Sequence, residues 1–113
     1  LETVLSQSDC ITLHTPGSEE VMNAENIAMM KKGSVLINCA RGGVVNEQAL
    51  ADALVSGHIS AAGVDVFVNE PPTNDLMISQ TNCSLSPHIG ASTKEAQERV
   101  GIELAERITS FFK

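Results

Sequence analysis

The sequence predicts an α/β protein built on a parallel sheet, and three observations support this. Short apolar segments rich in β-forming residues alternate with helical patterns along the chain. One of them, SVLINCA (34–40), is apolar almost throughout, which is typical of a strand whose two faces are both covered. A helix between successive strands requires right-handed crossovers and therefore parallel pairing.

The first half of the chain supplies two helices and two strands. They are, in order, a helix over 1–8, a strand over 9–15, a helix over 24–32 and a strand over 34–40. Pro16-Gly17 breaks the first strand. Asn23 is placed to cap the helix that follows, and Gly33 is placed to end it.

The second half continues the alternation. It contains a helix from Asn46, its cap, to Gly57, a strand over 59–66, one helical turn within 73–80 and a strand over 83–86. The last helix is predicted to begin with a capping box formed by Ser92 and Glu95. Its apolar residues recur every three or four positions, which predicts an amphipathic helix of about 20 residues, or about 30 Å. The resulting apolar stripe consists of Ala96, Val100, Leu104, Ile108 and Phe111.

Charge and composition exclude several classes of partner. The net charge is −7 and the seven basic residues form no run, which argues against nucleic acid and against an anionic membrane surface. No apolar run approaches the roughly 20 residues that a membrane span needs, and no signal peptide is visible. The cysteines at 10, 39 and 83 form no CxxC pair, so we expect free thiols in the core and a reducing, cytoplasmic location.

Ionisable side chains follow all four predicted strands. His14, Arg41, Asp65 and His88 stand at successive carboxyl ends, and Glu70 follows Asp65 on the same loop. In parallel α/β sheets, ligands bind at this edge. The sequence therefore predicts a polar site there.

Two of these residues suit a reaction on a small acid. The planar guanidinium of Arg41 matches a carboxylate with two parallel hydrogen bonds, although a surface arginine paired with Glu47 or Asp65 is the alternative. His88 can exchange a proton near neutral pH, with Glu70 on its other ring nitrogen, although a structural histidine is the alternative.

The remaining patterns indicate no other chemistry. The three histidines lack metal-ligand spacing, so we expect no metal site, and neither GxSxG nor GxGxxG occurs. Cys39 beside Arg41 is either an activated thiol or, as its apolar strand favours, a core residue. We expect His58 to be exposed and His14 to bond only backbone.

Three segments resemble one known family along nearly the whole chain. INCARGGVVNEQAL (37–50), AAGVDVFVNEPP (61–72) and SPHIGASTKEAQ (86–97) are similar to the D-isomer-specific 2-hydroxyacid dehydrogenases. The resemblance implies the second half of a Rossmann-type doubly wound parallel sheet, with three-layer αβα architecture. It also implies a cytoplasmic oxidoreductase that uses NAD on a small 2-hydroxy or 2-oxo acid and assembles as a dimer or tetramer.

The same resemblance implies a role for each site residue. Arg41 would bind the substrate's carboxylate and 2-oxo oxygen, His88 would be the general acid/base, and Glu70 would pair with His88. Asp65 would face the nicotinamide carboxamide. The implied cofactor-binding set is Thr15, Pro16, Cys39, Ala40, Arg41, Asp65, His88 and Gly90.

Parts of that family's pattern do not occur in this sequence. We find no glycine-rich turn for the pyrophosphate, no acidic residue for the adenine ribose, and no substrate domain. We therefore expect residues 1–113 to be a partial NAD-binding domain that is inactive alone and binds NAD weakly or not at all. Without the ribose-binding residue, the choice between NAD and NADP stays open.

Three functions stay open at this point. The residues of the three motifs resemble those of family members that act on D-3-phosphoglycerate, which is oxidised to 3-phosphohydroxypyruvate in serine biosynthesis. The resemblance thus favours this substrate over glycerate, hydroxypyruvate or glyoxylate. A non-catalytic, NAD-sensing protein similar to transcriptional corepressors is a second class. A fragment with no function of its own is the third.

Overall fold

A computed structural model describes residues 1–73 and 75–113. The elements are α1 Glu2–Gln7, β1 Cys10–Leu13, α2 Ala24–Met29, β2 Ser34–Asn38, a 3₁₀ turn Gly42–Val44, α3 Glu47–Ser56, β3 Ile59–Val64, α4 Asp75–Ile78, β4 Cys83–Leu85 and α5 Lys94–Phe111. Asn74, within the turn predicted at 73–80, lies outside the described residues. The four strands form one parallel sheet in chain order, which confirms the predicted α/β class.

The core lies between this sheet and one layer of helices. Helix α1 contacts α2, α2 contacts α3, and α3 contacts α4. The least exposed large side chains come from helices, strands and the turns between them: Leu5, Met22, Leu36, Val44, Leu50, Ile59 and Met77. Burial of these apolar side chains is the main force that holds the sheet and helices together.

The opposite face of the sheet is more open. Along β1, Ile11 and Leu13 are buried whereas Thr12 is exposed, and along β2, Val35 and Ile37 are only half-buried. The expectation that both faces of the 34–40 strand are covered is therefore wrong within the described residues. Within the described residues, helices α1 to α4 form a layer on one face of the sheet. A three-layer αβα arrangement would need a second layer of helices on the other face.

The open face also accounts for the cysteines. Cys10 and Cys39 are exposed, so the expectation that they belong to the core is wrong. Side chains alternate between the two faces of a strand, and by this alternation Cys10 and Cys39 both belong to the open face of the sheet. Cys83 is half-buried, and burial raises the pKa of its thiol to about 11.

Side-chain caps start α2 and α3 as the sequence predicts. Asn23 Oδ1 accepts a hydrogen bond from Asn26 N at 2.9 Å, and Asn46 Oδ1 accepts one from Ala49 N at 2.9 Å. Gly57 ends α3 in the left-handed region, at φ 73°, where a side chain would be strained.

Helix α2 is shorter than the predicted span 24–32. Met30 already adopts an extended conformation, and the amide of Lys31 donates to the carbonyl of Leu5 in α1 rather than continuing the helix. A tertiary hydrogen bond thus ends the helix before Gly33, whose φ of 81° belongs to the turn into β2.

Helix α5 differs from the prediction at its start, and its apolar face is exposed. Its N-cap is Thr93, whose hydroxyl accepts from Ala96 N at 3.1 Å, so the predicted Ser92–Glu95 capping box is wrong by one residue. No residue of α5 is buried, and Val100 is 59% exposed. The radius of gyration is 16.3 Å, against about 13 Å for a compact chain of this length.

No helix in the described ranges is long and apolar enough to cross a membrane.

The turn after β2 lies directly against the loop after β3. A Cβ atom added to Gly42 would lie 1.9 Å from the Phe67 carbonyl oxygen and 2.6 Å from Val68 N, far inside contact distance. Only glycine allows this approach without a shift of backbone. Gly42 therefore sets the spacing between two loops at the carboxyl edge of the sheet.

We predict that Gly42→Ala lowers the free energy of unfolding by about 1–3 kcal/mol, the usual cost of forcing extra atoms into packed structure. Gly17→Ala is the matched control, because nothing lies within 4 Å of a Cβ there. Urea unfolding of both variants measures the difference. An equal effect of the two substitutions would contradict the close-approach argument.

Candidate active site

The parallel sheet brings the predicted strand-end residues to one edge. His14, Arg41, Asp65 and His88 follow β1, β2, β3 and β4 respectively. His14 Nε2 lies 2.9 Å from the Thr12 hydroxyl, so the expectation that it bonds only backbone is wrong. Its side chain shares the open face of the sheet with Thr12 because the two residues are two positions apart.

His58 lies away from this edge, before β3. It is half-buried rather than exposed as expected, and its Nε2 lies 3.1 Å from the Ile27 carbonyl oxygen. The contact joins the start of β3 to α2, which makes His58 a structural residue. Sequence reasoning missed this because the partner is distant in the chain.

Glu70 and His88 form a hydrogen-bonded pair at the carboxyl edge. His88 Nδ1 lies 2.7 Å from Glu70 Oε2, and Glu70 Oε1 accepts a hydrogen bond from Phe67 N at 3.0 Å. The hydrogen bond from His88, then that from Phe67, holds the pKa of Glu70 below its ordinary value, against a smaller opposing effect of burial. His88 itself has a φ of 57°, in the left-handed region that non-glycine residues rarely adopt.

A small cavity adjoins this pair. Its volume is about 190 Å³, and it is lined by Phe67, Glu70, Pro71, Pro72, Pro87 and His88. The lining is apolar apart from the two ionisable groups. A larger cavity of about 430 Å³ lies between α2 and α3, and none of the four strand-end residues lines it. The larger volume therefore does not mark the candidate active site.

Asp65 organises the loop that carries His88. The residue is 6% exposed. Oδ1 accepts from the Ser86 hydroxyl at 2.6 Å and from Ile89 N at 2.9 Å, and Oδ2 accepts from Gly90 N at 2.9 Å. A Cβ on Gly90 would lie 3.1 Å from Oδ2, so the glycine permits this approach.

The hydrogen bonds keep this buried carboxyl ionised. Burial would raise the pKa of Asp65, but the Ser86 hydroxyl, the amides of Ile89 and Gly90, and the nearby His88 together hold it below the ordinary value. Each carboxylate oxygen has two acceptor positions, so Oδ2 retains capacity for one further donor.

Arg41 is exposed and takes neither of the predicted ion-pair partners. Its Nη1 donates to the Ala40 carbonyl at 2.6 Å, and within the described part of the chain it has no carboxylate within 4.0 Å. Glu47 accepts instead from Val68 N at 2.8 Å, and Asp65 is occupied as described. Among the described residues, the guanidinium thus uses one of its two Nη groups for the bond to Ala40, and most of its five N–H donors can bind another group.

Asn38 is a residue whose role sequence reasoning missed. It is 2% exposed, its Nδ2 donates to the Arg41 carbonyl at 3.1 Å, and its Oδ1 accepts from Ala40 N at 3.1 Å. Its own carbonyl accepts from Asp65 N at 3.0 Å. The signal was present, since an amide in a buried apolar strand requires hydrogen-bond partners.

The other predicted cofactor residues lie along the same edge. Cys39 N donates to the Leu13 carbonyl at 3.2 Å, which ties the turn after β2 to β1. Thr15 lines a separate cavity of about 260 Å³ with Gly17, Glu19 and Val21, and neighbouring Pro16 is exposed. The described residues contain no group of three or more His, Cys, Asp or Glu side chains placed to hold a metal ion.

Comparison with known proteins identifies relatives of this arrangement. The model of the D-isomer specific 2-hydroxyacid dehydrogenase NAD binding domain matches residues 1–90. A hydroxypyruvate reductase from Thermotoga maritima is 50% identical over 114 residues, covering 96% of this chain and 37% of that protein. A D-3-phosphoglycerate dehydrogenase from Bacillus subtilis is 46% identical over 115 residues, covering 99% of this chain and 22% of that protein.

Solved structures share the fold. A D-isomer specific 2-hydroxyacid dehydrogenase from a Polaromonas species superimposes with a TM-score of 0.81 at 36% identity, over 97% of this chain and 35% of that one. The D-lactate dehydrogenase from Aquifex aeolicus, solved with NAD and lactic acid, gives 0.78 at 32% identity, over 98% of this chain and 39% of that one. This chain thus spans less than two fifths of each of these relatives. The match over residues 1–90 and the shared parallel sheet show that the chain belongs to the NAD-binding domain family of the D-isomer specific 2-hydroxyacid dehydrogenases.

Proposed function

We propose that this chain supplies the substrate-binding arginine and the acid/base pair of an NAD-dependent D-2-hydroxyacid dehydrogenase. The observation that carries the proposal is the Glu70–His88 pair, at 2.7 Å, on the same sheet edge as an arginine that has no ion-pair partner among the described residues. Because its relatives are much longer, we propose that the chain works as the partial NAD-binding domain of a longer polypeptide.

His88 moves the proton in this proposal. With Nδ1 on Glu70, its Nε2 is the nitrogen left to donate a proton to the 2-oxo oxygen during reduction, or to accept one from the hydroxyl during oxidation. The carboxylate of Glu70 orients the ring and stabilises the positive charge that the ring carries when protonated. When bound, NAD supplies or accepts the hydride.

Arg41 orients the substrate. Its fork can donate two parallel bonds to a carboxylate, or divide them between the carboxylate and the 2-oxo oxygen. Asn38 fixes the backbone from which the fork extends, through hydrogen bonds at both Ala40 and Arg41. A held fork loses less freedom when the acid binds, which favours a reactive orientation.

The residues present fit a nicotinamide at this edge. Asp65 is held ionised, and Oδ2 has room for one more donor, as a carboxamide NH₂ would supply. Gly90 has no side chain to obstruct the approach. The backbone at Thr15, Pro16, Cys39 and Ala40 would form the walls of the cofactor site.

For the substrate, we propose D-3-phosphoglycerate, oxidised to 3-phosphohydroxypyruvate in serine biosynthesis, in a cytoplasmic homo-oligomer. Similarity to the enzyme named for that substrate, at 46% identity in Bacillus subtilis and 43% in Escherichia coli, supports this choice. Hydroxypyruvate is the second candidate, because the Thermotoga maritima protein named for its reduction is 50% identical.

The substrate is tested by NADH oxidation at equal concentrations of four acids in the whole polypeptide that carries this chain. We expect 3-phosphohydroxypyruvate to exceed hydroxypyruvate, glyoxylate and pyruvate by about 10²-fold in kcat/KM, or about 3 kcal/mol of transition-state binding. A preference for hydroxypyruvate would select the second candidate. Absence of turnover on all four would reject the enzymatic function.

The role of Arg41 is tested by Arg41→Lys. We expect kcat/KM for the preferred 2-oxo acid to fall by about 10- to 10²-fold, because an ammonium group cannot replace the second parallel bond. Arg107→Lys is the control, since Arg107 is an exposed residue of α5 that pairs with Glu103 at 2.8 Å. Unchanged kinetics in Arg41→Lys would contradict the two-bond role.

The charge state of Asp65 predicts a pH dependence of stability. At pH 7 we expect Asp65→Asn to lower the free energy of unfolding by about 2 kcal/mol, the scale of a hydrogen bond to a charged group. Since the folded-state pKa lies below the unfolded value near 3.8, the wild-type advantage is complete above that value. It disappears as pH falls through the lowered pKa.

Urea unfolding of both proteins between pH 7 and pH 3 measures this dependence. Asp9→Asn, which removes an exposed carboxylate paired with Lys31, is the control and should change stability by less than about 1 kcal/mol. A wild-type advantage that grows as the pH falls would show that the carboxyl is not held ionised.

A further inference from the structure

The loop that carries Glu70 is fastened at two neighbouring amides. Phe67 N donates to Glu70 itself at 3.0 Å, and Val68 N donates to Glu47 at 2.8 Å. Both acceptors are carboxylates, which form shorter and stronger bonds with amides than neutral acceptors do. One carboxylate, Glu70, belongs to the proposed acid/base pair, whereas the other, Glu47, does not pair with Arg41 and has no role in the proposed reaction.

Glu47 belongs to the same stretch of chain as Arg41. It is the first residue of α3, which begins three residues after the end of the 3₁₀ turn that follows the arginine. That stretch is itself fixed, because Val44 N donates to the Arg41 carbonyl at 3.1 Å and the Val44 carbonyl accepts from Met22 N at 2.9 Å. The backbone that leads to Glu47 is therefore held in place by these hydrogen bonds.

Two contacts join this stretch to the loop after β3. Gly42 lies against the Phe67 carbonyl, and Glu47 binds Val68 N. Glu70 then reaches back to Phe67 N and forward to His88. We call Arg41 with the 3₁₀ turn Gly42–Val44 the arginine turn. These contacts form a continuous path from the arginine turn to His88.

We propose that Glu47 is a positioning residue, which holds the Phe67–Val68 segment against the arginine turn and so fixes the Glu70–His88 pair relative to Arg41. This inference rests on the proposed function. Val68 is exposed, so its amide could be satisfied by water, and the bond to Glu47 restricts the loop instead. A displacement of about 1 Å at a reacting group is enough to cost up to about 10²-fold in rate.

A carboxylate in the first turn of a helix also stabilises that helix through its dipole, so the test must separate the two effects. Glu47→Ala removes both the acceptor and the charge. Glu47→Gln removes the charge but keeps an oxygen that can accept from Val68 N. Glu25→Ala is the matched control, because Glu25 lies in the first turn of α2 and is exposed.

The first readout is amide hydrogen exchange at Val68, which needs no activity. In Glu47→Ala we expect exchange at Val68 to accelerate by about 10-fold relative to wild type, with amides within β3 unchanged, as in a local opening. Glu47→Gln should keep most of the protection, and Glu25→Ala should keep all of it. Unchanged exchange at Val68 in Glu47→Ala would overturn the proposal.

The second readout is steady-state reduction of the preferred 2-oxo acid by the whole polypeptide. We expect kcat of Glu47→Ala to fall by about 10-fold with KM changed by less than about 3-fold, because Arg41 still binds the acid while His88 is misplaced. Glu47→Gln should recover most of kcat. An equal loss of kcat in Glu25→Ala, or in Glu47→Gln, would assign the effect to helix charge and overturn the positioning role.

The two proposals fail in distinguishable ways. If the wild type turns over and Arg41→Lys loses activity while Glu47→Ala keeps it, only the positioning role is wrong. If the wild type turns over none of the acids, the proposed function is wrong and the positioning role, which rests on it, is overturned with it. In that case exchange at Val68 reports only whether Glu47 holds the loop.

Discussion

Every contact at the candidate site requires that the four strands pair in parallel and in chain order. This pairing puts the loop after every strand at one edge, so residues far apart in sequence, such as Arg41 and His88, lie along the same edge. The pairing is stabilised by one buried face packed under α1 to α4, with Leu36 and Ile59 fully buried. Without that core, the polar residues at the edge would have no fixed arrangement.

At the edge itself, carboxylates and backbone amides provide the order. Asp65 gathers the Ser86 hydroxyl and two amides of the loop after β4, and Glu70 and Glu47 each take one amide of the loop after β3. Loops have little apolar area to bury, so their conformation depends more on hydrogen bonds, and those to a carboxylate are stronger than those between neutral groups. The same bonds keep Asp65 and Glu70 ionised, which their proposed roles need.

The prediction of secondary structure from sequence was most accurate where local signals are strong. Asn23, Asn46 and Gly57 were assigned as helix boundaries and act as such, because caps depend on neighbours within a few residues. The early end of α2 was not predictable, because it results from the bond between Lys31 and Leu5 across the core. The apolar stripe of α5 predicted a helix correctly, but periodicity does not say what, if anything, covers that stripe.

The amino-acid sequence alone specifies the residue types at the strand ends and the order in which they follow the strands. That was enough to group Arg41, Asp65, Glu70 and His88 at one edge, because parallel topology follows from the alternation of strands and helices. Tertiary contacts determine which of them touch. The pair of Glu70 and His88 depends on how close the loops after β3 and β4 approach, and Asp65 joins these loops through its bonds to Ser86, Ile89 and Gly90. Arg41 has no ion pair among the described residues, and its turn is placed by Gly42 and Asn38. Such contacts join residues distant in sequence, and no local pattern encodes them.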